Sequence, residues 1–282
     1  MKVVRFNNDK YTLPSKWDEL NPKQLIAVAK IMLAEQHWDN IKVRLVLYFL
    51  GMRVIRRRKV IVDEVEHFYV KHGLRRVYLL SVFDIAALGN TLEFLTEKPD
   101  KEGNRLLRPK IRKQPFPILK FRFKRFAGYE NALTDMLFGE FIFAETYYYR
   151  YLTTKDEVWL NRLLAVLYRR VKKHTMQEFS EEAIEQNARL IASLPAYKKL
   201  VMRFYYDGCK EFLSRKFPQT LGSGGGGKAK DPFEDFHKIT IAMTNGFPTE
   251  ADGVRNTLLY DALESFEQTS KANERMNYLI HR

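Results

Sequence analysis

The chain has 282 residues, 45% hydrophobic and 13% aromatic, which supplies a sizeable core for one or two domains and excludes a disordered protein. Its longest apolar runs, LVLYFLGM (45–52) and FGEFIFAETYYY (138–149), are too short or too interrupted by Glu to span a bilayer, and the opening MKVVRFNNDKYTL has no signal-peptide core. The net charge of +14 is lopsided: residues 1–131 hold 27 Lys and Arg against 14 Asp and Glu, whereas residues 132–282 hold 21 against 20.

In chain order, VVRF and YTLP around NNDK predict a short β-hairpin. Ser15 followed by Asp18 reads as a capping-box-like stop. Asn21 and Pro22 supply an N-cap and a first-turn proline for an amphipathic helix over KQLIAVAKIMLAE. A second helix is expected over Trp38–Leu50, ending at Gly51. A basic cluster follows, with Arg53, Arg56, Arg57, Arg58 and Lys59. HFYVKHGLRRVYLL then predicts a hairpin around His72-Gly73, and Ser81 opens a helix over VFDIAALGNTLEFL.

Residues 96–117 are polar, basic and proline-broken, and read as a long loop or arm. The next stretch, ILKFRFKRF, alternates strictly. It predicts one strand with Leu119, Phe121 and Phe123 on the buried side and Lys120, Arg122 and Lys124 on the outer side. Residues 105–125 hold nine basic residues and no acidic one.

The second half reads as helical. FGEFIFAETYYYRYL, a capping box at Thr154-Lys155-Asp156-Glu157 and a stripe of Leu160, Leu163, Leu164, Leu167 and Val171 predict an antiparallel helical hairpin. Helices are expected after Ser180 and over Pro195–Lys216. GSGGGGKAK (222–230) follows, then a helix over Pro232–Thr244 and a longer one from Thr249 with Val254, Leu258, Leu259, Leu263 and Phe266 in one stripe. The expected fold class is mainly α with small antiparallel β elements (α+β), a helical-hairpin body plus a tethered C-terminal helical module. The parts are a basic α+β segment 1–131, a helical segment 132–217 of the same body, a linker 218–231 and a two-helix module 232–282.

Several motifs could carry chemistry. Gly222, Gly227 and Lys228 match a Walker loop, but Ala229 stands where a Ser or Thr should hold magnesium. No buried strand precedes the loop, and Asp231-Pro232 disfavours an immediate helix. A flexible linker, native or inserted, fits better. Two Glu-x-x-His units, Glu64/His67 and Glu234/His237, lie in polar surroundings rather than on four apolar helices, so they read as helix-start acids with incidental histidines. Glu140 and Glu145 sit about 140° apart on one helix and cannot act on one substrate together. Ion pairing with Arg150, Arg162 or Arg169, or with another subunit, is the preferred reading. Tyr147, Tyr148, Tyr149 and Tyr151 diverge around that helix and pack rather than form a stacking platform. Cys209, the single cysteine, excludes an internal disulfide and a cysteine zinc site, and reads as a small packed residue of a reducing compartment.

Two stretches resemble a known family. LPSKWDELNPKQLIAVAK, with Pro14, Trp17, Asp18, Glu19, Leu20 and Gln24, resembles a P-x-x-W-x-E-L-T-x-x-Q signature, with Asn21 at the Thr position. FGEFIFAETYYYRYLTTKDEVWLNRLLAVLYRR resembles F-G-E-F-x-x-A-E followed by D-x-x-x-L-x-x-L-x-A-x-L-Y-R, with Arg170 where a final proline is usual. Both patterns are those of small accessory proteins of the tail gene cluster of tailed phages and prophages, of the tail-assembly-chaperone kind, which these stretches resemble. The resemblance implies a non-enzymatic protein that holds tail components, often as an oligomer, in the host cytoplasm or the virion.

The residues and the resemblance together lead to the expectation of partner binding through Arg56, Arg57, Arg58, Lys59, Arg112, Lys113, Lys120, Arg122 and Lys124. A partner-helix face is expected at Leu258, Leu259, Leu263 and Phe266. No metal or other cofactor and no membrane association are expected. Nucleic-acid binding by residues 105–125 is the alternative.

Overall fold

The computed structural model describes residues 1–6, 9–98, 105, 107–121, 123–172, 175–221, 236, 239–241, 244 and 250–280. Of the described residues, 58% are helical and 21% lie in strands, the strands arranged as several small antiparallel sheets: a mainly α, α+β fold. The chain divides into two compact units, 1–111 and 112–282.

In the first unit, β1 (Lys2–Phe6) pairs antiparallel with β2 (Asp9–Leu13). A single 3-10 turn, Trp17–Glu19, buries Trp17. Ser15 closes this turn through Glu19: its backbone N–H donates to the Glu19 carboxylate at 2.7 Å. Helix α1 (Pro22–Ala34) opens with the expected cap, in which Gln24 N–H donates to Asn21 Oδ1 at 3.0 Å and Asn21 N–H donates to Gln24 Oε1 at 2.9 Å. Helix α2 (Trp38–Phe49) stops where Gly51 takes a φ of +66°, a conformation glycine adopts without strain.

The next three strands, β3 (Met52–Val62), β4 (Val65–His72) and β5 (Arg76–Ser81), form one antiparallel sheet in that order. The basic cluster therefore lies on an edge strand. Glu64 is not at a helix start but in the turn between β3 and β4, with a φ of +66°. Ser81 caps α3 (Val82–Gly89) through Asp84, as its sequence predicts. Helix α2 packs on β3, and α3 on β4 and β5. Val70, Tyr78 and Leu80 are buried on the sheet. In the expected arm, Thr96 bridges Leu107 and Arg108 N–H donates to the Leu95 carbonyl at 3.1 Å; residues 99–104 and 106 are outside the described set.

The second unit corrects the single-strand reading of ILKFRFKRF. The stretch is a hairpin, β6 (Ile118–Phe121) and β7 (Lys124–Gly128), in which Leu119 faces Phe126 and Lys120 faces Arg125. Leu119 and Phe126 are buried, whereas Phe123 has a relative exposure of 106% at the turn. Arg122 lies outside the described residues.

Helices α4 (Phe138–Thr154) and α5 (Glu157–Leu167) form the expected hairpin. Its cap is Asp156, whose carboxylate accepts from Val158 N–H at 2.9 Å; Thr154 is the last residue of α4. The stripe does not continue to Val171. Tyr168–Lys172 is strand β8, recruited by pairing with β7 and followed by β9 (Thr175–Met176) in the order β6-β7-β8-β9. Ser180 caps α6 (Glu181–Ile191), and α7 (Ala196–Lys216) and the short α8 (Pro218–Leu221) follow. The glycine-rich segment 222–230 and most of 232–244, with Glu234 and His237, lie outside the described residues.

The stripe expected in one long helix is split between α9 (Ala251–Arg255) and α10 (Leu259–Ile280). These helices belong to the same compact unit as α4 to α8, so the described C-terminal residues are not a separate body. Phe138 N–H donates to the Thr257 carbonyl at 2.9 Å and Leu259 N–H to the Met136 carbonyl at 2.8 Å. Tyr260 Oη donates at 2.8 Å to the carbonyl of Ala132, which with Leu133 takes a positive φ. Glu267 accepts from the Gln219 and Thr220 backbone N–H groups at the start of α8, at 3.0 and 3.1 Å.

Leu259 and Leu263 have no accessible surface. Truncating Leu263 to Ala should lower unfolding free energy by about 3 kcal/mol, the usual size for a buried leucine, measured by chemical denaturation. Deleting 222–282 should likewise destabilise the second unit rather than release an independent tail, which limited proteolysis of the shortened chain would show.

Candidate interaction surfaces

Two sheets carry the basic residues singled out in the sequence. In β3–β4–β5, the register places Arg53 opposite Lys71, and Lys71 opposite Val77. Side chains of paired residues share a face, and alternate residues switch faces. One face therefore carries Val70, Tyr78 and Leu80, all buried, and the other carries Val60, Val62, Val65, Tyr69, Lys71, Val77 and Leu79. Val77 and Leu79 are 51% and 43% exposed. Between Val54 and Lys59 the register shifts, so residues 55–58 lie opposite Tyr69 alone. Arg56, Arg57 and Arg58 sit in this bulge; their side chains are outside the described set. A bulge and cations on an edge strand both discourage further strand pairing, which gives the cluster a structural role beside any binding role. Lys59 is exposed and pairs with Glu66 at 2.6 Å.

Arg112, Lys113, Lys120 and Lys124 belong to the other unit. Arg112 lies over the Phe212 ring at 5.2 Å, and Arg112, Lys113 and Lys120 are exposed. Lys124 is half-buried and sits opposite Phe121. The expected basic residues thus belong to two units: Arg56 to Lys59 to an edge strand of the first, and the others to and before a hairpin of the second.

The expected partner-helix face is a correction. Leu259 and Leu263 are covered by the chain's own elements, α10 packing on α8 and α4, because their stripe completes the core of the second unit. Phe266 is half-buried, and Leu258, 43% exposed, stands in the break before α10, where it bridges Leu137.

Glu140 and Glu145 are buried, each with its own partners. Glu140 accepts from Tyr129 Oη at 2.9 Å and from Leu137 N–H at 3.0 Å, and Arg169 Nη1 lies 3.0 Å from its second oxygen. Burial pushes the Tyr129 hydroxyl well above its ordinary range, with the Glu140 charge adding to the shift. Glu145 accepts from Tyr206 Oη at 2.6 Å and Lys210 Nζ at 2.7 Å. Beside it, Tyr148 Oη donates to Asp207 at 2.7 Å, and Arg203 lies 3.5 Å from the same carboxylate. Tyr147 stacks on Trp159, and Arg203 donates to Tyr151 Oη. The tyrosines diverge as helical geometry requires.

A cleft of about 440 Å³ opens beside the Glu140–Arg169 pair, lined also by Phe143, Phe179, Asp252 and Arg255. Among the described residues no group of three or more His, Cys, Asp and Glu side chains could hold a metal ion, and no helix is long and apolar enough to cross a membrane. The open face of β3–β4–β5 was not singled out from the sequence. Its signal is the alternation in EHFYVKH and RVYLLS, which identifies two faces but not which one the helices cover.

Comparison with known proteins finds no matching family model and no curated protein or solved structure similar to this chain.

Replacing Glu140 by Ala leaves Arg169 without this ion-pair partner and Tyr129 and the Leu137 amide without their acceptor. The expected loss is about 3 kcal/mol, as for breaking a buried ion pair from one side, with Glu140→Gln retaining part of the stability in the same denaturation assay. Asp207 gives a second test. Burial raises its carboxyl above the ordinary 3.8, against the opposing effects of Arg203, Tyr148 and Lys210. The folded state then holds a proton that the unfolded state has released, so this group's contribution to stability falls as pH rises from 3.8 towards the raised value. Asp207→Asn should remove that component, and thermal melting from pH 3 upward should show the wild type losing ground to the variant.

Proposed function

We propose that this chain is a non-enzymatic structural or assembly protein, chaperone-like, of the tail gene cluster of a tailed phage or prophage. It works through protein–protein contacts, in the host cytoplasm or in the particle. The observation that carries this reading is the composition of its exposed sheet surfaces. Apolar side chains stand beside cations that face cations: Val77 and Leu79 near Arg53–Lys71 in one unit, Ile118 and Phe123 near Lys120–Arg125 in the other. Like charges directly opposite each other disfavour the isolated sheet, and an acidic, partly apolar partner relieves that cost.

The family-like stretches support the same reading through their structural roles. In the first, Trp17 is buried, Glu19 closes a turn, and Gln24 completes the α1 capping box. In the second, the Glu of F-G-E-F and the Arg of L-Y-R form the buried Glu140–Arg169 pair. These are fixings of a scaffold.

Co-expressing the full chain with the tail-tube, sheath and tape-measure proteins of the same gene cluster should give a stable complex with one of them, measured by size-exclusion chromatography with light scattering. Failure to form any complex would count against the proposal. The alternative reading is nucleic-acid binding, favoured by the exposure of Lys113, Lys120 and Phe123. It requires duplex or single-strand affinity to fall by orders of magnitude between low and physiological salt. Such binding without a tail-protein complex would replace the proposal.

A further inference from the structure

We infer that the open face of the β3–β4–β5 sheet is a docking surface for an acidic amphipathic segment of a partner protein. The inference rests on the protein-binding reading above and adds a place and a chemistry to it.

The strands' charges are sorted by face. On the side that carries Val70, Tyr78 and Leu80, the cations have acids: Lys59 pairs with Glu66 at 2.6 Å and Arg76 with Asp9 at 2.6 Å. Glu66 is the one acidic residue within the three strands. The other side carries Arg53 directly opposite Lys71 and no acidic residue of its own strands. Asp84, in the first turn of α3, is engaged with the Ser81 hydroxyl and N–H at 2.7 and 3.0 Å.

The same side exposes aliphatic side chains: Val77 and Leu79 on β5, and Val60 and Val62 on β3, are each more than one third accessible. Val77 stands directly opposite Lys71, which stands opposite Arg53, so exposed apolar side chains and cations adjoin there, the composition of an interaction site rather than of a solvated face. Residues 1–111 as a whole hold 21 Lys and Arg against 13 Asp and Glu, so an approaching acidic segment is attracted at long range as well.

The bulge at residues 55–58 interrupts the β3 edge and disfavours strand addition there, while β5 is the sheet's second edge. The proposed docking is onto the face, where the exposed apolar and basic side chains stand together. A segment with apolar side chains on one stripe and carboxylates beside it meets Val77 and Leu79 with the first and Arg53 and Lys71 with the second.

The test uses the full chain and a fluorescent peptide of roughly 18 residues with Leu on one helical stripe and Glu elsewhere, read by anisotropy. Saturable binding is expected, weakened about tenfold or more, or roughly 1.4 kcal/mol, in Val77→Ser/Leu79→Ser. It should also weaken in Arg53→Gln/Lys71→Gln and at high salt. All four positions lie on the open face, and far-ultraviolet dichroism confirms that the variants fold. No saturable binding, equal binding of the sign-reversed Lys peptide, or binding unchanged in both variants would overturn the inference. So would preference for duplex DNA or anionic vesicles over the peptide. Should a variant that combines all four substitutions still form the tail-protein complex, this surface is wrong while the proposed function stands; failure of the wild type to form any tail-protein complex is the separate failure of the latter.

Discussion

The second unit depends on a buried charge that must be neutralised where it stands. Glu140 occupies the first turn of α4, where the helix N-terminus favours an anion, but it is 3% exposed and cannot rely on water. Its partners come from three places: Leu137 just before the helix, Tyr129 just after β7, and Arg169 in β8. Satisfying one carboxylate therefore fixes the entry to the helical hairpin, the exit from one strand and the register of another. The neighbouring Tyr168 hydroxyl donates to Gln114, whose amide donates to the Tyr129 carbonyl, so the same corner closes a second buried network. Gly128 lies against it, with room for no larger residue, since a Cβ there would come within 2.5 Å of the Gln114 amide.

This pattern of internal pairing accounts for the charge of the surface. Glu140, Glu145 and Glu267 are buried acids with partners inside the second unit, and Asp9 and Glu66 are held by Arg76 and Lys59 in the first. Acids drawn into such pairs leave Arg53, Lys71, Lys120 and Arg125 to set the sign of the exposed sheet surfaces. The net charge of +14 is concentrated in residues 1–131, which hold 27 Lys and Arg against 14 Asp and Glu.

Much of the local structure was legible because it is determined over three or four residues. Asn21–Gln24, Ser81–Asp84 and Ser180–Ala183 cap their helices as their sequences imply, and Gly51 ends α2. Long-range choices were less legible. ILKFRFKRF has no Gly, Asn or Pro at its turn, so its alternation runs unbroken through a reversal that pairing with β8 imposes. Val171 continues a helical spacing although YRRV serves as a strand. In the C-terminal stripe the sequence marks Leu259 and Leu263 as an apolar face, but not that α8 and α4 of the same unit cover it. The candidate surface shows the same divide: its basic residues are plain in the sequence, and their separation into two sheets is not.

Hydrogen–deuterium exchange on the full chain, free and with the tail protein that the proposal requires as its partner, tests the central claim most directly. Slower exchange on β4 and β5, with the amides around Glu140 and Arg169 unchanged, is the result expected of a scaffold that binds through its open sheet face. Protection centred on the Glu140–Arg169 cleft, with β4 and β5 unaffected, would contradict it.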